Sequence, residues 1–251
     1  MIFLKEANMI VILTGAGISQ ESGIATFRDA GGLWEKMRVE DVATPRAFKR
    51  DPAMVYAFYN ARREQLKTVK PNAAHEALAR LEREYSGNVL VVTQNVDDLH
   101  ERAGTKNLLH MHGELFKARC STCGLVTQWE HDITALDACP VCGPLYNTPE
   151  EAEGKRGRMR PHIVWFEEMP LYMDEIERAL SRCELFVSIG TSGNVYPAAG
   201  FAAQARSSGA RVIEINMEPS ANAGYFHDGR YGPATLEVPA WVAGVLAKGK
   251  A

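Results

Sequence analysis

The 251-residue chain has no run of about 18 consecutive apolar residues, the length a membrane-spanning helix needs, so no membrane span is expected. A basic excess is missing too: 28 Lys and Arg stand against 31 Asp and Glu, for a formal charge of -3. Dedicated nucleic-acid binders carry the opposite balance to neutralise phosphates, so no specific nucleic-acid partner is expected, although net charge does not report a local groove. Internal repeats and low-complexity tracts are lacking, which argues against a solenoid or a disordered chain. Met1–Asn8 contain Lys5 and Glu6 and make no signal-peptide apolar core, so a cytoplasmic location is expected. Cysteine is scarce, at five residues. The odd count, the pairing of four of them as Cys-x-x-Cys and the lack of an export signal favour metal binding over disulfides.

What is present points to a packed α/β protein. Hydrophobic residues make up 46% of the chain, ordinary for a globular fold, and its length suffices for one large domain with a sizeable insertion. Met9–Leu13 (MIVIL), Val89–Thr93 (VLVVT), Leu185–Ile189 (LFVSI) and Val212–Ile215 (VIEI) are aliphatic runs without alternation. That is the pattern of parallel strands covered on both faces. Between them Asn72–Glu84 behind Pro71, Asp174–Cys183 and Pro197–Ser207 read as helices. Strands alternating with helices predict a doubly wound, parallel, Rossmann-like sheet. Two stretches break the alternation. Residues 35–69 contain no strand-like run and read as helices, Pro52–Leu66 among them. Residues 114–159 carry the paired cysteines and then a polar segment with Glu150, Glu151, Glu153, Gly154, Lys155, Arg156 and Gly157. The chain is therefore expected to divide into a Rossmann-like domain (1–34, 70–113 and 160–251) and a smaller lobe. That lobe would combine the helical insertion 35–69 with a zinc ribbon at 114–159, leaving a ligand cleft between the two.

The first strand runs into Thr14-Gly15-Ala16-Gly17-Ile18-Ser19-Gln20-Glu21-Ser22-Gly23. The Gly15 and Gly17 pair gives a tight turn and lets backbone approach a diphosphate. The N-terminus of a following helix would add N–H groups and a positive dipole end. The G-x-G-x-x-G pattern fails at Gln20, and no acidic residue ends a second strand about 20 positions on. A plain glycine turn between strand and helix fits this loop equally well. The chain then leaves the sheet through Gly23-Ile24-Ala25-Thr26-Phe27-Arg28-Asp29. A segment with Phe27 and Arg28 beside a nucleotide suits a reaction at the ribose better than hydride transfer.

Gln94, Asn95, Asp97 and His100 follow a strand expected at the sheet centre, and ligands of open α/β sheets bind beyond the carboxyl ends of the strands. The competing reading is a strand-end turn in which Asp97 caps the next helix through His100 and Glu101. His110 and His112 flank Met111, and in an extended segment both would point to one side. An imidazole can take a proton from a hydroxyl near neutral pH, but chemistry alone does not choose between the two, and a structural role is the plainer reading of either. Cys120-x-x-Cys123, fifteen residues, then Cys139-x-x-Cys142 is a zinc pattern. Four thiolates at about 2.3 Å close a tetrahedron without a water position, so such a metal is structural. Cys183, at a helix end, reads as core packing. In AMVYAFYNARREQL (53–66), Tyr59 and Arg62 are three apart and share a helix face. Arg63 is turned about 100° away. A guanidinium fork with a phenol makes a carboxylate site; a solvated face at a core edge is the ordinary alternative.

In order along the chain, these motifs resemble one family, the sirtuins. GAGIS-QESGI-ATFR is similar to their first signature, and Thr93-Gln94-Asn95-Val96-Asp97-Asp98-Leu99-His100 with Ala103-Gly104 resembles their second. His112-Gly113, the two cysteine pairs, Gly190-Thr191-Ser192 and Asn216 follow in the family's order, so the resemblance covers nearly the whole chain. It implies an NAD-dependent protein-lysine deacylase with one structural zinc on Cys120, Cys123, Cys139 and Cys142. In that scheme the acyl-lysine amide oxygen attacks the ribose carbon bearing nicotinamide, and nicotinamide leaves as an alkylimidate forms. His112 then deprotonates a ribose hydroxyl, which attacks the imidate carbon, and water releases lysine and O-acyl-ADP-ribose. His112 is the implied base, with Asn95 and Asp97 orienting the nicotinamide end. The implied NAD contacts are Gly15, Ala16, Gly17 and Ser19; Thr26, Phe27, Arg28 and Trp34; and Gln94, Asn95, Val96 and Asp97. Gly190, Thr191, Ser192, Asn216, Met217, Glu218 and Ala234 complete them at the diphosphate and adenosine half.

The Tyr59-x-x-Arg62 pair, with ATPRAF at 43–48, is similar to class III sirtuins and implies succinyl- or malonyl-lysine in preference to acetyl-lysine. The acyl-lysine peptide would add as a strand between segments 164–168 and 193–197, touching Val164, Phe166, Glu168 and Val195. The family has Phe-Gly-Glu where this chain has Phe166-Glu167-Glu168, and a side chain at 167 is expected to exclude the glycine-only backbone region. Other readings are protein mono-ADP-ribosyl transfer, which shares the NAD site and needs no acyl pocket, a conventional nicotinamide oxidoreductase, and a non-catalytic NAD-sensing zinc-ribbon module. The retained His112, Asn95 and Asp97 speak against the last.

Overall fold

The computed structural model describes residues 9–25, 33–34, 37–143, 148 and 157–248, with residues 33–34 as backbone only. The expectations placed on Thr26, Phe27, Arg28, the Trp34 side chain and the polar segment 149–156 lie outside the described residues. In chain order the elements begin with β1 (Met9–Thr14), β2 (Leu33–Trp34), β3 (Met37–Arg38), α1 (Val39–Val42), α2 (Pro45–Arg50), α3 (Pro52–Thr68) and α4 (Ala73–Glu84). They continue with β4 (Asn88–Thr93), α5 (Leu99–Ala103), β5 (Leu108–His110), β6 (Gly113–Cys120), β7 (Val126–Gln128) and β8 (Met159–Ile163). The chain closes with α6 (Met173–Leu180), β9 (Leu185–Ile189), α7 (Phe201–Ser207), β10 (Arg211–Asn216), β11 (Asp228–Tyr231) and α8 (Ala234–Lys248).

Successive residues of a strand point to opposite faces, so a strand that is apolar throughout needs cover on both. β1 and β4 meet that condition. Ile10, Ile12, Val89 and Val91 join one buried cluster with Leu78 of α4 and Trp241 of α8. Val11, Leu13, Leu90 and Val92 join another with Ile176 of α6 and Phe201 of α7. The sheet is six-stranded in the order β11-β10-β9-β1-β4-β5, and every pairing is parallel. The doubly wound α/β fold expected from the sequence is the one observed.

A separate antiparallel sheet, β7-β6-β8, lies beside α3. Val55, Phe58, Tyr59 and Leu66 of that helix pack with Leu115, Ile163 and Trp165 into a third core. Proline opens α3 at Pro52, and the Asp51 carboxylate accepts the Met54 N–H at 2.9 Å, which satisfies an otherwise orphaned donor. Two expectations need correction. Met37–Arg38 pairs antiparallel with Leu33–Trp34, so 35–69 is not wholly helical; two-residue strands leave no periodicity to detect. Pro197–Ser207 begins with a 3-10 turn at Ala198–Gly200, and the α-helix starts only at Phe201. No helix among the described residues is long and apolar enough to cross a membrane.

Candidate active site

Strand order reverses at the β1–β9 junction: the chain proceeds outward through β4 and β5 on one side and through β10 and β11 on the other. Open α/β sheets bind ligands in the crevice at such a junction. Here two glycine loops meet backbone to backbone. Gly15 N–H donates to Ile189 O and Gly17 N–H to Gly190 O, each at 2.9 Å. A Cβ on Gly17 would lie 2.7 Å from Gly190 Cα, and one on Gly190 would lie 2.5 Å from Ile18 N. Both glycines are thus required by contact with each other. The expected α-helix after this loop is absent. Two 3-10 turns, Ala16–Ile18 and Gln20–Ser22, take its place, ended by Gly23 at φ 95°. The donors of a long helix N-terminus are therefore not what this loop offers.

Beyond the ends of β1 and β4 lies a continuous buried polar network. Asn95 Nδ2 donates to Gly15 O at 3.2 Å and to Ser19 Oγ at 3.1 Å. Ser19 Oγ donates to Asp97 Oδ2 at 3.0 Å, and the other Asp97 oxygen accepts Leu99 N–H at 3.1 Å. Asp97 thus reaches only the Leu99 N–H at the start of α5, and the competing reading, in which it caps the helix through His100 and Glu101, is not what the structure shows. Burial pushes its pKa up to about 6. His75 Nδ1 accepts the Asn72 N–H, so its Nε2–H is the donor toward Ser19 Oγ at 3.4 Å. Burial lowers His75 to about 4, and it lowers His100, which bonds Thr14 Oγ1 at 3.0 Å, well below its ordinary value.

His110 and His112 hold the same loop, and their pKa values move in opposite directions. His110 Nδ1–H donates to Asn95 O and His112 Nδ1–H to Gln94 O, both at 3.1 Å. Those carbonyls fix both tautomers, leaving each Nε2 to its surroundings. His110 Nε2 meets Glu101 Oε1 at 2.8 Å; burial works against its charge, yet the carboxylate outweighs burial and the pKa rises. Half-buried His112 is lowered by burial and keeps Nε2 as a lone pair.

From His112 the backbone leads straight to the other predicted residues. Val164 N–H donates to His112 O at 2.8 Å, and Trp165 Nε1 donates to the Tyr59 hydroxyl at 3.0 Å. Tyr59 is fully buried; Arg62, one turn on, stacks its guanidinium 3.3 Å from the Phe58 ring centroid and donates to Phe58 O at 2.7 Å. Arg63 points elsewhere, donating to Leu115 O and Asn60 Oδ1. The structure thus joins His112, segment 164–166 and the Tyr59 face of α3. Gln94 and Val195 line one small cavity with Leu13, Ser188 and Thr191. Glu168 faces inward: Arg119, Arg160 and the Trp165 N–H all donate to it. It clamps the turn that presents Phe166, which is 47% exposed. Glu167 corrects an expectation. Its φ is 77°, so the chain does adopt the left-handed region with a side chain in place, and that carboxylate pairs with Arg46 of α2.

At the end of β10, Asn216 Nδ2 donates to Thr191 O at 2.8 Å, tying that strand end to the Gly190 loop. Met217 and Glu218 are exposed beyond it. Ala234 opens α8, whose next residue, Thr235, donates its N–H and hydroxyl to Glu21 at 3.0 and 2.6 Å. Sequence reasoning missed Glu21, His75 and Glu214. The Asn72-x-x-His75 spacing of a capping box and the lone carboxylate in the apolar VIEI run were the available signals.

At the end of β6 and in the loops beyond it, the Sγ atoms of Cys120, Cys123, Cys139 and Cys142 lie within 4.8 Å of one another. Thr122 and Cys123 N–H groups point at Cys120 Sγ, and Val141 N–H at Cys139 Sγ, the knuckle geometry that favours thiolates. This donor set fits a structural zinc and leaves no open coordination position. Among the described residues, Ile133, Ala118 and Met159 pack behind it. Touching glycine loops, with a buried carboxamide and carboxylate beside them, likewise fit the diphosphate and nicotinamide ends of a dinucleotide.

A Sir2 family model matches residues 15–197. The chain is 57% identical to the NAD-dependent protein deacylase SIR2rp3 of Leishmania major, over 97% of this chain and 98% of that one. It is 54% identical to the NAD-dependent protein deacylase of Escherichia coli, over 96% and 83%. A solved Sir2 homolog–NAD complex superposes with a TM-score of 0.83 at 37% identity, covering 96% and 90%. A Sir2 structure bound to acetylated peptide gives 0.75 at 27%, covering 96% and 93%. The chain belongs to the Sir2 family of enzymes, as its motif order implied.

Proposed function

We propose that this protein is an NAD-dependent protein-lysine deacylase that prefers succinyl- and malonyl-lysine, also accepts acetyl-lysine, and yields nicotinamide and O-acyl-ADP-ribose. The observation that carries the reading is the contact chain from His112 through Val164 and Trp165 to Tyr59. It joins a neutral imidazole to a helix face bearing a phenol and a guanidinium. NAD supplies the activated ribose carbon. Asn95 and Asp97, fixed by Ser19 and Gly15, orient the nicotinamide end, and Asn216, Met217 and Glu218 receive the adenosine half. His112 Nε2 takes the proton from the ribose hydroxyl, its Nδ1–H staying on Gln94 O. The acyl-lysine peptide runs between 164–168 and 193–197, and Glu168 shapes that path from behind. A solved Sir2 homologue in a 2'-O-acetyl ADP ribose complex, with a TM-score of 0.84 at 36% identity, supports the same product class.

Arg62 is assigned to the acyl carboxylate, with Tyr59 beside it. Hydrogen bonds to charged groups contribute about 1.5–3 kcal/mol, so Arg62→Met should lower kcat/KM for succinyl-lysine peptide about 100-fold. Deacetylation should fall less than about threefold, since an acetyl group has no carboxylate to lose. The measurement is an acyl-peptide panel (acetyl, malonyl, succinyl and glutaryl) with products read by mass spectrometry. Equal losses for acetyl and succinyl would refute the pocket assignment. ADP-ribosylated protein in place of O-acyl-ADP-ribose would refute the deacylase reading itself.

A further inference from the structure

Glu214 is a carboxylate between Ile213 and Ile215 in β10, and it is 1% exposed. Its partners are neutral donors. Oε2 accepts the Ser220 hydroxyl at 2.5 Å and the Ser220 N–H at 3.4 Å, while Oε1 accepts the Tyr231 hydroxyl at 2.8 Å. Tyr231 reaches this position because β11 sets Gly229 opposite Glu214; a Cβ on Gly229 would lie 2.2 Å from the Tyr231 hydroxyl. A buried carboxyl group needs hydrogen-bond partners, and here they come from two separate segments. Those bonds close the turn that leaves β10 at Asn216 and returns at Ser220. The following residues fasten the same turn to the neighbouring loop: Ala221 N–H donates to Ser192 O at 3.0 Å, and Asn222 Nδ2 to Ala199 O at 2.8 Å.

We infer that Glu214 is a positioning residue for the adenosine half of the NAD site. With Ser220 and Tyr231 it sets the turn that presents Asn216, Met217 and Glu218. The inference rests on the proposed assignment of those three residues to adenosine.

Calorimetric titration with ADP-ribose tests it on the zinc-loaded protein. Losing the anchor of two segments should weaken binding about tenfold in Glu214→Ala, and losing one hydrogen bond about threefold in Tyr231→Phe. Glu214→Gln retains an acceptor and should stay within about twofold of the parent. In the steady state KM for NAD should rise in step with these affinities while KM for acyl peptide stays fixed, a split that a general loss of structure would not give. If Glu214→Ala does not fold, Tyr231→Phe decides, because it removes one bond from a partly exposed ring. Asn216→Ala is the control. If it weakens ADP-ribose while Glu214→Ala and Tyr231→Phe bind like the parent, the positioning role is overturned and the adenosine assignment stands. If Asn216→Ala itself binds like the parent, both fall. A Glu214→Gln variant as weak as Glu214→Ala would also overturn the hydrogen-bond account.

Discussion

Two imidazoles on either side of Met111 show how little a residue type says without its surroundings. Both spend Nδ1–H on the same loop, but Glu101 faces the other nitrogen of His110, whereas burial leaves His112 neutral. Because the His112 pKa is lowered from 6.5, its base form is fully present at neutral pH, and turnover should be lost only as the pH falls below that value. His112→Ala should abolish turnover with NAD binding retained; a pH–rate profile in which His110→Gln, and not His112→Ala, removes the acid limb would reverse the roles. Glu167 is a second case. A left-handed side chain costs about 1–2 kcal/mol, its exposed pair with Arg46 returns about 0.2–1, and a glycine there would add unfolded-chain freedom of about 0.4–1. These contributions nearly cancel, so Glu167→Gly should change stability by less than about 1 kcal/mol. Glu167→Val, β-branched and without the ion pair, should lose more than that. Urea unfolding of the two variants side by side separates them; equal stabilities would mean that residue 167 does not hold a positive φ.

At the scale of elements, the meeting of the two glycine loops shapes the crevice proposed to hold NAD. Gly17→Ala would drive a Cβ against Gly190 backbone, which a flexible side chain cannot relieve, so about 1–3 kcal/mol of stability and most ADP-ribose affinity should be lost. Gly244 sits inside α8 with nothing within 4 Å of a Cβ, and Gly244→Ala should gain about 0.5–1 kcal/mol. Thermal melts of both variants with an ADP-ribose titration check the contrast; Gly17→Ala binding like the parent would show that the loops do not need to touch. The strands of this region were legible because β1 and β4 are apolar on both faces, and α3 and α4 because Pro52 opens the one and Pro71 precedes the other. The motif order made the family legible as well. The Gly17–Gly190 contact was not, since it joins strand ends remote in sequence. The 3-10 turns after Gly15 were missed because a strand-glycine-helix pattern does not encode how tightly the next turn winds. His75 was missed because its partner, Ser19, lies across the fold.

For the whole molecule, the buried polar network sets the response to acid. His75 and His162 are held at about 4 by burial and His100 well below 6.5, so each binds a proton on unfolding that it lacks in the fold. Their stabilisation is complete above about 6.5 and is lost as pH falls toward the folded values. Asp97 runs the other way. Raised from 3.8 to about 6, it contributes stability that is present below 3.8 and lost as pH rises through 6. Its shift and that of His75 are each on the order of 3 kcal/mol and roughly cancel. His112, lowered, and His110, raised, also take opposite signs. Asp98, raised by burial, adds to Asp97, while His100 and His162 add to His75; with three buried imidazoles lowered, the fold should weaken between pH 7 and 5. Zinc-ribbon thiolates take up protons on unfolding as well, equally in the parent and in a histidine variant, so a difference measurement isolates the imidazole. His100→Gln can keep a donor to Thr14 Oγ1 and removes one titrating group. Unfolding free energy against pH should therefore be shallower in the variant by about one proton, or about 1.4 kcal/mol per pH unit near pH 5. Parallel curves for the two proteins would mean that His100 does not stay neutral inside the fold.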